Sequence, residues 1–195
     1  MQRQVVVIAG PTGSGETTVT NEIVKRFPGR AKRLVTATTR PPRAGEKSGT
    51  DYYFFTKDEF TRLKDKGDIL ESTYIPNRDT YYGTYAPDLT KRIESGEIVI
   101  VNPDIVGARY YKTRYDAVTI FIAPESIDAL ARRIRERNPE LPDAEIAKRR
   151  INAEEEIVNE QSFYDYVVKN VDGKLEETVR TVVDILNKEG YTLAS

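Results

Sequence analysis

Gly10-Pro11-Thr12-Gly13-Ser14-Gly15-Glu16-Thr17-Thr18 follows the spacing G-x-x-x-x-G-K-[ST] of a phosphate-binding loop, with Glu16 where that pattern has lysine. Upstream, residues 4–9 (Gln-Val-Val-Val-Ile-Ala) are a short apolar, β-branched run of the kind that makes a strand buried on both faces. Downstream, Val19, Ile23, Val24 and Phe27 recur at helical spacing, and Pro28-Gly29 stops the helix. The glycines therefore stand between a strand and a helix, the context in which the motif carries meaning. Gly10, Gly13 and Gly15 let the backbone turn so that successive N–H groups point inward, and the helix N-terminus adds partial positive charge. The Thr17 hydroxyl is placed to ligate Mg²⁺.

Composition limits the chemistry. The chain has 195 residues, enough to bury a full core, and predicts one α/β domain with smaller inserted segments. It has no cysteine, so it can build neither a disulfide framework nor a thiolate metal site. It has no histidine, which excludes Ser-His and Cys-His nucleophiles, a histidine proton shuttle and histidine metal ligands. Carboxylates, lysines, arginines, hydroxyls and backbone remain. Phosphoryl transfer is the large reaction class that needs no more, because it rests on positioning and charge stabilisation around a metal nucleotide. The net charge is −1 with no extended basic block, which disfavours nonspecific nucleic-acid binding. The start of the chain lacks a signal h-region and no apolar run approaches the ~20 residues of a membrane span, so no membrane partner and a cytoplasmic location are expected.

Along the chain, residues 32–36 read as a second strand that runs into a proline- and glycine-rich loop, residues 38–46. Residues 51–55 read as a strand, 57–66 as a short helix, and 69–74 and 80–84 as further strands, together a small antiparallel insert on the main sheet. Parallel-sheet character returns in apolar strands at 97–101 and 117–122, flanked by helices at 87–95, 103–112 and 126–137. Another helix starts near Pro142, and Leu175, Val179, Val182 and Leu186 mark a closing C-terminal helix. Strand, loop, helix and βα units imply a right-handed, mostly parallel sheet with ligands at the carboxyl ends of its strands.

Thr38-Thr39-Arg40-Pro41-Pro42-Arg43-Ala44-Gly45-Glu46, followed by Gly49-Thr50-Asp51-Tyr52, closely resembles the guanylate kinase family. The similarity continues through Phe60, Glu71, Tyr81-Tyr82-Gly83-Thr84, Asn102-Pro103-Asp104, Phe121-Ile122-Ala123-Pro124 and the arginine-rich residues 132–150. The resemblance implies an α/β P-loop kinase: a mostly parallel sheet flanked by helices, with a small mixed α/β GMP-binding insert and a helical lid. Its divisions would be a core of residues 1–35, 86–125 and 160–195, an insert of residues 36–85 and a lid of residues 126–159. The implied reaction is ATP + GMP to ADP + GDP, with Mg²⁺ accompanying ATP.

By the same resemblance, Gly10, Pro11, Thr12, Gly13, Ser14, Gly15, Glu16, Thr17 and Thr18 hold the ATP phosphates. Arg40 and Arg43 resemble the pair that grips the GMP phosphate, a task for planar guanidinium forks, and Tyr52 and Tyr82 would donate hydroxyls to it. Glu71 resembles the carboxylate that accepts from guanine N1–H and the 2-amino group and repels the N1 acceptor of adenine. Thr36 stands where the family commonly has a serine contacting the base, and Thr84 would add a polar contact. Arg133 and Arg137, four apart on one helical face, and Arg149 on the next helix would close over the triphosphate and neutralise the transferring group.

Two positions depart from the family pattern. Asn102 replaces the first aspartate of the strand-end pair, keeping an oxygen donor but losing a charge toward Mg²⁺ or the guanine amino group, while Asp104 retains the second. Glu16 replaces the lysine that bridges the β- and γ-phosphates. Exchanging a cation for an anion ~4 Å from a phosphate oxygen changes the Coulomb energy by roughly 8 kcal/mol at an effective dielectric of 20, before screening. A quarter of that exceeds the 1.36 kcal/mol that corresponds to about tenfold in rate. Three readings stay open: a guanylate kinase slowed by Glu16, a noncatalytic module binding GMP or a phosphopeptide at the arginine site, and a kinase for another monophosphate.

Overall fold

The computed structural model describes residues 3–193. Val5–Ala9 (β1) is buried throughout and leads through the glycine loop into Glu16–Arg26 (α1). There follow Ala31–Arg33 (β2), Ala37–Thr38 (β3), Tyr53–Phe54 (β4), Lys57–Lys66 (α2), Ile69–Ile75 (β5), a 3₁₀ turn at Pro76–Arg78, Thr80–Tyr85 (β6), Ala86–Glu94 (α3) and Ile98–Val101 (β7). The chain continues with Ile105–Tyr115 (α4), Val118–Pro124 (β8), Ile127–Arg137 (α5), Asp143–Glu160 (α6), a 3₁₀ turn at Gln161–Phe163, Tyr166–Asn170 (β9) and Leu175–Lys188 (α7).

The main sheet has the order β2-β7-β1-β8-β9 and every pairing in it is parallel. Alternation along β1 divides the core. Val6 and Ile8 pack with Val19 and Ile23 of α1 and Val179, Val182 and Leu186 of α7. Val5, Val7 and Ala9 pack on the other face with Leu89 of α3 and Ala108 and Tyr111 of α4. The expected α/β class with a mostly parallel, helix-flanked sheet is thus what the chain forms. β1 lies between β7 and β8, so the strand order reverses beside it and a crevice opens at its carboxyl end, where the glycine loop sits.

The second sheet, β4-β3-β6-β5, differs from the antiparallel insert expected. β3 and β6 pair antiparallel, as do β5 and β6, but β3 and β4 are parallel. A parallel pair needs a long crossover, and residues 39–52 supply it. The strand expected at 32–36 also divides. Leu34 N–H makes the last bond to Ile100 of the main sheet, and Val35 N–H turns instead to the Asp88 carboxylate, so the chain leaves one sheet and re-enters the other as β3. The strand at 51–55 contracts to β4, and β9 joins the main sheet where no strand was anticipated.

The insert carries its own cluster around Ala37, Phe60 and Ile69, and α5 and α6 carry another around Leu130, Ile134, Ile146 and Ala153. Among the described residues no helix is long and apolar enough to cross a membrane.

Candidate active site

The glycine loop is built as its sequence requires. Gly13 (φ 95°) and Gly15 (φ 101°) occupy left-handed conformations, and a Cβ on Gly15 would come within 2.3 Å of Asn170 Nδ2. No side chain caps α1, which leaves the first-turn N–H groups open toward an anion. The Glu16 carboxylate folds back over that turn. It accepts from Ser14 Oγ at 3.1 Å and Thr17 Oγ1 at 3.4 Å, and its own backbone N–H also faces it. Burial raises its pKa above the ordinary carboxylate range, opposed by these hydrogen bonds and by the positive charge of Arg137.

Gly13, Gly15, Glu16, Thr17 and Thr18 line a recess of about 310 Å³ together with Arg133, Arg137 and the turn after β9. Arg133 is committed to protein acceptors. Its Nε donates to Asp172 at 2.6 Å, Nη1 to the Ser14 carbonyl at 3.2 Å, and Nη2 to the Asn170 carbonyl at 2.9 Å. Asn170 Nδ2 donates to the same Ser14 carbonyl at 2.7 Å. Arg133 thus ties α5 to the loop, while Arg137 stays exposed on the same recess. Arg149 pairs one turn back with Glu145 at 3.0 Å and lines none of the three recesses described here.

The cleft between the two sheets, about 240 Å³, gathers Thr36, Tyr52, Glu71, Tyr82, Thr84, Asn102 and Asp104. At its outer end the Arg40 guanidinium lies 5.4 Å from the centre of the Tyr52 ring and donates at 2.9 Å to Glu46. Arg40 and the Arg43 backbone N–H hold the Glu46 carboxyl below its usual range, whereas the Arg43 residue itself lies exposed on the loop. At the inner end Glu71 is pushed upward by burial and by Asp104, against hydrogen bonds from Thr84. A third recess of about 270 Å³ joins the two sites, lined by Gly10, Thr12, Glu16, Asn102, Asp104, Glu156 and Glu160.

A family model described as guanylate kinase matches residues 2–189. The chain belongs to the guanylate kinase family. It is 39% identical over 165 residues to the guanylate kinase of Geobacter metallireducens, covering 84% of this chain and 79% of that one. It is 35% identical over 190 residues to that of Thermotoga maritima, covering 97% and 88%. The crystal structure of guanylate kinase from Anaplasma phagocytophilum superposes with a TM-score of 0.72 at 28% identity, covering 99% of this chain and 90% of that one.

Guanylate kinases are ATP-dependent, and the donor set here fits a hard divalent cation. Thr17 Oγ1, the Asp104 carboxylate and Asn102 Oδ1, a buried oxygen with no hydrogen-bond partner, are all oxygens. Among the described residues no cluster of three carboxylates could hold an ion alone, which suits Mg²⁺ arriving with a nucleotide and keeping its waters. Within this guanylate kinase fold, several residues around the recesses carry no signal in the sequence motifs: Asn170 at the end of β9, Asp172 just beyond it, Tyr111 beneath Glu71, and Glu156. Asn170-Val171-Asp172-Gly173 after a β-rich run was the available turn signal for the first two.

Proposed function

We propose that the chain is an ATP-dependent guanylate kinase that phosphorylates GMP, and dGMP, to the diphosphate in purine nucleotide metabolism, with turnover lowered by Glu16. The observation that carries this reading is the run of one continuous crevice from Glu71, past Asp104, to the glycine loop. Its dimensions suit a base at one end, a phosphate between, and a triphosphate at the other. ATP and GMP are then its partners, with neither nucleic acid nor membrane, and its location is cytoplasmic.

In this reading Glu71 accepts from guanine N1–H and the 2-amino group, with Thr36 and Thr84 beside it. Arg40, Tyr52 and Tyr82 receive the acceptor phosphate, and the loop bearing Arg43 folds over it. Glu46 keeps Arg40 aimed before the phosphate arrives. The acceptor phosphate is already ionised, so the chain needs no general base, consistent with its lack of histidine. An oxygen of that phosphate attacks the γ-phosphorus of ATP in line, and the bond to the β-γ bridging oxygen breaks, releasing ADP. Gly10, Pro11, Thr12, Gly13, Ser14, Gly15 and Thr18 form the cradle for the donor phosphates: Pro11 has no N–H, and its carbonyl accepts from Ser14 N–H to close the turn, while the other loop and helix N–H groups face the anion. Arg137, with Arg149 after lid closure, balances charge on the transferring group, while Arg133 keeps the loop and α5 together. Thr17, Asp104 and Asn102 would hold Mg²⁺, which would supply charge to neutralise the triphosphate. Glu16 opposes the binding of the donor phosphates, because its carboxylate lies over the anion cradle, and leaves the GMP cleft untouched.

Calorimetric titration with GMP, dGMP, AMP, UMP and a phosphoserine peptide tests the assignment. GMP and dGMP are expected to bind in the micromolar range and the others far more weakly. Preferential binding of the peptide or of AMP overturns it.

A further inference from the structure

Beneath the base end of the cleft lies a chain of three side chains that the phosphoryl-transfer scheme does not use in full. Thr84 Oγ1 lies 2.5 Å from Glu71 Oε1 and 2.5 Å from the hydroxyl of Tyr111. Thr84 and Tyr111 are buried, at 0% and 1% exposure, so water does not compete for these bonds. The direction of each bond follows from the proton inventory. An ionised Glu71 only accepts. Burial pushes the Tyr111 phenol well above its ordinary range, so it keeps its proton and must donate it. Thr84 has one proton, which therefore goes to Glu71 while its oxygen accepts from Tyr111. Glu71 Oε2 lies on the other side, against Gly107, where an added Cβ would come within 3.4 Å of it.

We propose that Tyr111 is a positioning residue of the acceptor cleft: by donating to Thr84 it commits the Thr84 proton to Glu71 Oε1 and presents the carboxylate as a fixed acceptor for a purine edge with two adjacent N–H donors. This rests on the guanylate kinase reading of the cleft and deepens it. Thr84 then has no proton to donate to the base, since its only one is spent on the carboxylate. Discrimination for a 2-amino purine over one lacking that group depends on holding both carboxylate oxygens in place, and so on a tyrosine that touches no substrate. The placement follows from the fold: α4 starts at the Asp104 cap, packs under β5, and brings Tyr111 up against β6.

Tyr111→Phe removes one hydroxyl and keeps the buried ring. Titration of wild type, Tyr111→Phe, Thr84→Val and the double variant with GMP and with IMP, which lacks the 2-amino group, tests the inference. Loss of one net hydrogen bond's positioning is expected to weaken GMP by about threefold to tenfold and IMP by less, so the GMP:IMP affinity ratio falls. In the Thr84→Val background the Tyr111 substitution is expected to have no further effect. Equal weakening of both nucleotides, an unchanged GMP affinity, or a Tyr111 effect that persists without Thr84 overturns the inference. Wild-type protein that binds neither nucleotide overturns the reading of the cleft instead.

Discussion

Glu16 is an anion placed where the loop's geometry prepares a site for another anion. Two hydroxyls and the helix N-terminus satisfy it, yet burial still raises its pKa, so neutralising it costs less than for an exposed carboxylate. As pH falls through that raised pKa, the carboxylate is lost and the cradle reopens to phosphate. Glu16→Gln should therefore tighten ATP binding most at pH 8, with the gain over wild type shrinking toward pH 5, as followed by calorimetry at each pH. Glu156 gives a second case. Burial, with Glu160, Glu16 and Asp104 nearby, pushes it up to about 7. A carboxyl raised in the folded state stabilises the fold at low pH, and that contribution is lost as pH rises from the ordinary value near 4.5 toward about 7. Glu156→Gln should accordingly raise the melting temperature at pH 8 and leave it nearly unchanged at pH 5. An equal rise at both would contradict the assigned charge repulsion.

Elements around the cleft are closed off tightly at some ends and left open at others. Thr56 and Glu59 form a reciprocal capping box on α2 and Gly67 ends it, whereas α1 has no side-chain cap. Thr56→Ala should cost about 1 kcal/mol in denaturant unfolding. β6 is the tightest element of the insert. A Cβ on Gly83 would stand 2.6 Å from the Glu71 carbonyl oxygen and 2.9 Å from Ile69 Cγ2. The backbone atom cannot swing aside, so Gly83→Ala should destabilise the protein by about 1–3 kcal/mol and weaken GMP binding through displacement of Glu71. Circular dichroism melts and GMP titration of the variant check both effects.

The parts of the molecule that follow from local rules were legible in the sequence. The β1-loop-α1 unit was readable because a buried parallel strand is a continuous apolar run and the glycine spacing is strict. Of the residues proposed for the acceptor site, Arg40, Arg43 and Tyr52 stood out because one long loop motif carries them, whereas Glu71 and Thr84, outside that motif, rested on the family resemblance. The parallel β3–β4 pair was not, since pairing direction leaves no trace in side-chain period and only the length of residues 39–52 hinted at a crossover. β9 was missed because it is an edge strand with only Val168 and Asn170 buried, too weak a pattern to stand out. Glu156 reads as one of three successive glutamates on a solvated helix, and Tyr111 as one aromatic among several on α4. Their roles arise from tertiary contacts, with the junction recess and with Thr84. In the proposed function an acceptor site with its full set of side chains is joined to a donor loop that carries a carboxylate in place of lysine. The most direct test is steady-state ATP-dependent GDP formation by this chain beside its Glu16→Lys form, at saturating GMP. The account predicts that the lysine raises turnover by at least about tenfold with GMP affinity preserved. Equal turnover of the two proteins would contradict it.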